Sequence, residues 1–356
     1  MGGIDGLIPS AATLQRVALL AMLTAIGGGL GMLVGLPMPL LTGPAILTTC
    51  AALTGLKLQF PIPFRNAVFL LAGVTIGATV SSESVAALAR WPLAFGILAI
   101  ALCLTLILGR ITLQRLMRSD GKSALLAATP GHLSYVIAVS EDQHLAIDRI
   151  AVVQSIRLLA LTLLVPFAAR LAGIDTGIGL ANSPATMTLI QTALCIGAAA
   201  IIAPLVTMAH IPAPFLIAGM IIGATARLSG YAPGGLSPWI AYPVLATIGT
   251  LIGTRFSGIT LSQLKTSALA GLANSILTAS LALIAAWLAK DIVQMPLLHV
   301  LVAFAPGGLE TMTVMGLAIG ANPGFVAAAH VGRLLFLSVL VPLLLIRTQG
   351  PLPPRD

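Results

Sequence analysis

Acidic side chains are scarce in this sequence. Ten Asp and Glu stand against eighteen Lys and Arg in 356 residues, and all charged types together reach only 8%. Soluble domains carry roughly 25%, so an ordinary water-facing surface is excluded. The net charge is +8, but no block of five or six like charges occurs, which argues against nucleic acid as a partner. The lysines and arginines sit mostly at the ends of apolar segments, where they anchor and orient helices. Aromatics are only 4%, and the basic-aromatic interleaving of a nucleic-acid-reading surface is missing. The histidines, His132, His144, His210, His299 and His330, show no HxxH or HExxH spacing, so no metal site is assigned. Cys50, Cys103 and Cys195 each stand alone in apolar surroundings and read as small core hydrophobes. No nucleophilic triad is legible. No catalytic or cofactor-binding residue is assigned, and no enzyme activity is expected.

What the sequence has in abundance is apolar length, 58% of the chain. Runs such as 17–34 and 91–109 are long enough to cross a hydrocarbon core of about 30 Å. The expected fold is an all-α polytopic membrane protein, with the lipid bilayer as its solvent. The start, Met1-Gly2-Gly3-Ile4-Asp5, has no basic n-region, so the first helix is expected to be kept as a span. Apolar segments are expected at about 13–35, 39–56, 64–81 and 91–108. A broken segment at about 122–140 and an arginine-bearing helix at about 149–171 follow. A linker at about 173–185 separates the halves, and the proline-rich tail after Arg347 is expected to be disordered.

The second half repeats the plan of the first. Pro130 and Pro306, Arg157 and Arg333, and Pro166 and Pro342 are each 176 positions apart. Gly73 to Gly77 recurs as Gly249 to Gly253 at the same spacing, Ser257 answers Ser81, and Ile211-Pro212-Ala213-Pro214 answers Leu36-Pro37-Met38-Pro39. A shared offset over separated landmarks indicates two homologous repeats, 1–175 and 176–356, of five to six helices each.

In each half a Pro-Gly pair interrupts an apolar helix: Thr129-Pro130-Gly131-His132-Leu133-Ser134 and Ala305-Pro306-Gly307-Gly308-Leu309-Glu310. Proline has no N–H and glycine is flexible, so the ladder stops there. In lipid such a break must be buried in protein or line a wet cavity. The new half-helix that follows offers free N–H groups and a positive dipole end to an anion. Arg157 and Arg333 lie ten or more residues inside apolar helices, where a charge costs roughly 2.5–3.5 kcal/mol. They need a partner or water. Gln154 and His330 stand one turn before them on the same face. Counting about 1.5 Å per residue from turns near Leu145 and Ala321 puts Ser134 level with Arg157, and Glu310 level with Arg333, near mid-membrane. One reading is structural: a Glu310–Arg333 salt bridge, with Arg157 bonded to broken-helix carbonyls. The other is a central site where Arg157 and Arg333 meet an anionic solute or exchange partners with Glu310. Thr75 and Thr250 are expected to be helix-packing hydroxyls.

If each broken segment crosses the membrane, there are twelve crossings and parallel halves; if it is re-entrant, ten crossings and inverted halves. Placing the 110–122 cluster inside, the positive-inside count is twelve against four for the first arrangement and ten against six for the second. The count favours twelve crossings. The N-terminus is cytoplasmic either way.

The two boxes, each with its downstream arginine, resemble the duplicated membrane protein family labelled AbrB, whose members also carry ammonia monooxygenase or AbrB-family regulator labels. The resemblance covers about residues 15–348. His132, where the family pattern has Gly, and Ser134-Tyr135 depart from it. It implies a multi-pass protein of a bacterial inner membrane. A monooxygenase needs a metal or organic cofactor, and the residues supply no cluster for one. Transport of a small anionic solute is the expected function, with a proton or Na+ as coupling ion and a homo-oligomer left open. A membrane-embedded regulator of gene expression is the alternative. The expected binding residues are Pro130, Gly131, His132, Ser134, Gln154, Arg157, Pro306, Gly307, Gly308, Glu310, His330 and Arg333.

Overall fold

The structure, a computed structural model, describes residues 11–81, 90–131, 133–173 and 186–347. Met1 to Ser10, His132, the expected 173–185 linker beyond Gly173, and the expected disordered tail lie outside the described residues. The fold is all-α. In order, the helices are α1 Ala11–Leu33, α2 Pro39–Leu53, α3 Ile62–Gly77, α4 Trp91–Met117, α5 Gly121–Ala128, α6 Leu133–Asp142 and α7 Ile147–Leu171. Then come α8 Leu189–Met208, α9 Pro214–Leu228, α10 Pro238–Gly253, α11 Leu261–Val293, α12 Leu297–Phe304, α13 Leu309–Ala318 and α14 Pro323–Arg347. Six of these, α1, α4, α7, α8, α11 and α14, are long and apolar enough to cross a membrane. Their outer faces expose large apolar side chains such as Leu33, Ile100, Leu189 and Ile201. That is a surface for lipid, since water would penalise it.

The helix bounds keep the spacing read from the sequence. Gly121 and Leu297, Leu133 and Leu309, and Ile147 and Pro323 open matching helices 176 positions apart, and each matching pair also closes at that spacing. Compact units form across these halves: Met1–Thr79 with Asp175–Thr260, and Val80–Ile174 with Leu261–Asp356. Each unit takes corresponding pieces from both halves.

The first unit holds α1 to α3 and α8 to α10, and close backbone approach builds it. The residue between two prolines, Met38 or Ala213, takes a left-handed φ and starts α2 or α9. Proline at the first helical position then costs nothing, because that N–H is free anyway. A Cβ on Gly73 would strike the Leu216 carbonyl of α9, and one on Gly219 would strike the Leu70 carbonyl of α3. Gly249 lies just as tightly on the Leu41 carbonyl of α2, in the corresponding position with the halves exchanged. Small residues let these backbones touch, which is how helices associate where lipid removes the hydrophobic drive. Thr250 donates or accepts across to Thr24 of α1 at 2.7 Å, while Thr75 bonds back to Leu71 in its own helix.

The second unit holds α4 to α7 and α11 to α14. Here the interrupted segments turn back on themselves. Lys122 Nζ, at the start of α5, donates to Gln143 Oε1, just past the end of α6, at 2.9 Å. A straight helix would put those residues roughly 30 Å apart. In the second half His299 Nε2, near the start of α12, is 3.1 Å from the Ile319 carbonyl at the end of α13. Positions 299 and 319 correspond to 123 and 143. Both broken segments are therefore hairpins whose two ends lie together, so neither contributes a crossing. The positive-inside count, which favoured twelve crossings, is overturned by this geometry. It weighed charges at loop ends and had no view of where the chain goes after the break.

Candidate functional site

Each hairpin tip is a helix end left open by its proline. Helix α5 stops at Thr129 because Pro130 follows, and α12 stops at Ala305 because Pro306 follows. The last carbonyls of each have no helical partner. An arginine from the next long helix supplies one. Arg157, on α7, donates from Nη1 to the Ala128 carbonyl at 3.3 Å and from Nη2 to the Thr129 carbonyl at 3.1 Å. Arg333, on α14, donates from Nη1 to the Ala305 carbonyl at 2.8 Å and from Nη2 to the Gly307 carbonyl at 2.7 Å. Positive charge at the negative end of a helix dipole is favourable, so the arrangement is locally sound.

Helpers stand at the expected places. Gln154 donates from Nε2 to the Leu126 carbonyl at 2.9 Å, and its Oε1 accepts from Arg157 Nη2 at 3.3 Å. His330 Nδ1 is 3.0 Å from the Val326 carbonyl. A carbonyl only accepts, so Nδ1 carries the hydrogen and Nε2 is left as an acceptor, buried and without a partner among the described residues. The Nε–H groups of Arg157 and Arg333 are likewise buried and unpartnered there. Arg157 is 2% exposed and Arg333 1%.

The two half-sites meet. Gly131, at the first tip, has φ +84, and a Cβ there would stand 2.7 Å from Nη2 and 3.1 Å from Nε of Arg333. The guanidinium of the second half thus rests on the glycine of the first. Arg157 bonds the Thr129 carbonyl, two residues before that glycine. Gly308, at the second tip, lies against Leu158, the neighbour of Arg157. Pro130 and Pro306 face one small void, about 10 Å³, together with Leu98, Thr105, Thr278 and Phe304.

Glu310 behaves differently from the salt-bridge expectation. It is half-buried in the first turn of α13, and among the described residues it forms no ion pair with Arg333. The partner of Arg333 is backbone. Of the expected site residues, Pro130, Gly131, Gln154, Arg157, Pro306, Gly307, Gly308, Glu310, His330 and Arg333 gather at the tips. His132 lies outside the described residues, as does the side chain of Ser134. One residue went unread in the sequence. Asn274, midway along α11, is fully buried with both carboxamide atoms unpartnered among the described residues. It stands beside Ala128, since a Cβ on Gly109 would be 2.9 Å from Ala128 Cβ and 3.2 Å from Asn274 Oδ1. A lone Asn in a 33-residue apolar helix was the available signal. Among the described residues no group of three or more His, Cys, Asp or Glu could hold a metal ion.

Residues 40–348 match the model of a family described as "Transition state regulatory protein AbrB". The chain is 25% identical to the "Putative regulator AbrB" of Escherichia coli strain K12, over 94% of this chain and 97% of that one. It is 20% identical to the "Uncharacterized protein YhjN" of Bacillus subtilis strain 168, over 90% of each. No solved structure matches it significantly.

Proposed function

We propose that this chain, which belongs to the AbrB family, is a membrane transporter that carries a small anionic solute past its two hairpin tips. Arg157 and Arg333 are the cationic groups the solute meets; Gln154, Glu310 and His330 stand around them. One observation supports this above the rest. Two guanidiniums are buried at the same tip, Arg157 on the Thr129 carbonyl and Arg333 against Gly131, and only backbone carbonyls and an amide hold them among the described residues. A purely structural design would pair such charges with carboxylates as well as carbonyls. Keeping both charges open in a membrane core is the arrangement expected where ions pass.

The hairpins also set the plan of the halves. With the interrupted segments returning to their own side, α1, α4 and α7 remain as long spans of the first half. In this reading the shorter α2 and α3 act as a pair and add two crossings or none. Either way the number is odd, and the second half enters from the opposite side. Inverted halves with a site at discontinuous helices near the midplane form a recurrent transporter plan. In this reading the protein spans the cell membrane with a cytoplasmic N-terminus, and a proton or Na+ gradient drives the cycle.

The second reading is a membrane-embedded regulator that senses the same solute without moving it; the family description and the E. coli relative's name favour it. No enzyme role is proposed. Counterflow in liposomes separates the first two. Uptake of a labelled anion against unlabelled anion inside supports transport, and its absence across a broad panel of anions and ion gradients supports sensing.

A further inference from the structure

The charge inventory at the tips reaches further than "anionic". Arg157 and Arg333 contribute two positive charges, both buried. A second proton on His330 would put a third beside Arg333, on a nitrogen with no acceptor among the described residues; the ring is counted as neutral. The acid at the tips is Glu310, whose Oε2 would be 3.7 Å from a Cβ on Gly308. The other acids of this unit with described side chains lie elsewhere: Asp120 caps α5, Glu141 and Asp148 are exposed, and Asp291 pairs with Lys290. The cluster therefore carries a net charge of about +1. In a low-dielectric core an uncompensated charge is costly in either direction. A dianion would leave the loaded site negative, and a neutral solute would leave it positive.

Donors and shape narrow the choice. The two Nε–H groups and the Asn274 carboxamide are buried donors without partners among the described residues. The ten-residue helix α13 begins at the second tip with Gly308 as an N-cap that offers no side-chain cap, so its first N–H groups are open to an acceptor. Around the void the rest of the lining is mostly apolar, Leu98, Leu102, Phe304 and the two prolines, with Thr105 and Thr278 as its hydroxyls. An acceptor head on an apolar body fits both sets of groups.

The geometry points to a small monocarboxylate, a single carboxylate on a short apolar body, as the solute class of this site. The inference rests on the transport site proposed above. Glu310 sets the valence by charge count alone: it pairs with neither guanidinium among the described residues, and its one negative charge leaves the tips one positive charge for the solute.

The test is binding to the full-length protein purified in detergent, titrated with butyrate and with succinate at a pH where both are fully ionised. Butyrate is expected to bind about tenfold more tightly or better. Glu310→Gln raises the cluster to two charges, so the order should reverse in favour of succinate. Arg157→Gln brings it to zero, and both ligands should lose about a hundredfold. A wild-type preference for succinate overturns the inference, and so does an unchanged order in Glu310→Gln. If Glu310→Gln does not yield folded protein, Arg157→Gln decides: retained butyrate affinity overturns it. Failure here is distinct from failure of transport. Butyrate binding that reverses as expected, without flux, keeps this inference and removes the transporter. Succinate counterflow without butyrate counterflow does the opposite.

Discussion

The two compact units solve the same problem, how to join helices inside lipid, by opposite means. In the first, glycines bring backbone against backbone: Gly73 on the Leu216 carbonyl, Gly249 on the Leu41 carbonyl, Gly43 on the Gly27 carbonyl. Little polar chemistry is left over beyond threonine hydroxyls such as the Thr24–Thr250 bond. In the second, two helices are broken on purpose, and arginines bond the broken ends. That unit carries buried nitrogens without a partner among the described residues at Arg157, Arg333, His330 and Asn274. The lesson is that polar groups are expensive in lipid and are gathered at the two broken helices. Steric fit does the holding elsewhere.

Mutations that exchange these strategies should break the comparison most severely. Gly73→Leu forces a side chain into the Leu216 carbonyl, and the first unit should lose about 3 kcal/mol or more. Loss of monodisperse protein in size-exclusion chromatography is the expected readout; a well-folded variant would show that the crossing is looser than described. Arg333→Met should act in the reverse sense. The protein should insert and lose about 1–3 kcal/mol, because the Ala305 and Gly307 carbonyls are left bare while the cost of a buried charge is relieved, yet solute counterflow should fall at least about a hundredfold. Unfolding of this variant would make Arg333 a structural cap only.

Smaller effects sharpen the contrast. Gly131→Ala places a β-carbon at positive φ and against the Arg333 guanidinium, for a loss of about 1–2 kcal/mol. Flux should drop together with melting temperature, whereas Gly29→Ala, which meets nothing within 4 Å, should change neither. The mildest change concerns Asp120, the N-cap of α5 outside the spans. Burial pushes its carboxyl up, but hydrogen bonds from Ser123, Lys122 and its own backbone outweigh this and hold it below the usual aspartate value. A carboxylate depressed in the folded state gives stability that is complete above the unfolded pKa, about 3.9. That stability is lost as the pH falls through the lowered folded value. Asp120→Ala should cost about 1 kcal/mol at neutral pH. In melting curves the difference from wild type should shrink in acid below about pH 4.

Much of the fold was legible because lipid leaves few options. Apolar length located α1 and α7 to within a few residues, while α4 runs nine residues past the expected end at 108, and the 176-residue spacing anticipated which helix bounds would match. The proline-bracketed turns at Met38 and Ala213 followed from φ restriction. The site was legible as far as Arg157 and Arg333, since charges deep in apolar helices demand an account. Their partners were not legible. A carboxylate at matching depth, Glu310, was the natural guess, but sequence does not reveal which carbonyls a helix break exposes. Nor did it give the hairpin: a Pro-Gly pair permits a kink or a reversal, and only Lys122 meeting Gln143 decides between them. Asn274 was passed over because one asparagine in 33 residues gives no pattern.

The capping arginines have a further consequence for how the chain is made. The tip carbonyl of Thr129 is completed by a side chain synthesised 28 residues later, and that of Ala305 by one equally far ahead. Until α7 or α14 has emerged, each hairpin holds bare carbonyl groups that the bilayer cannot solvate. A nascent chain stopped just short of Arg157 should therefore keep α5 and α6 accessible to water-soluble labels. The final helix of each half closes its hairpin, so biogenesis proceeds in two ordered acts.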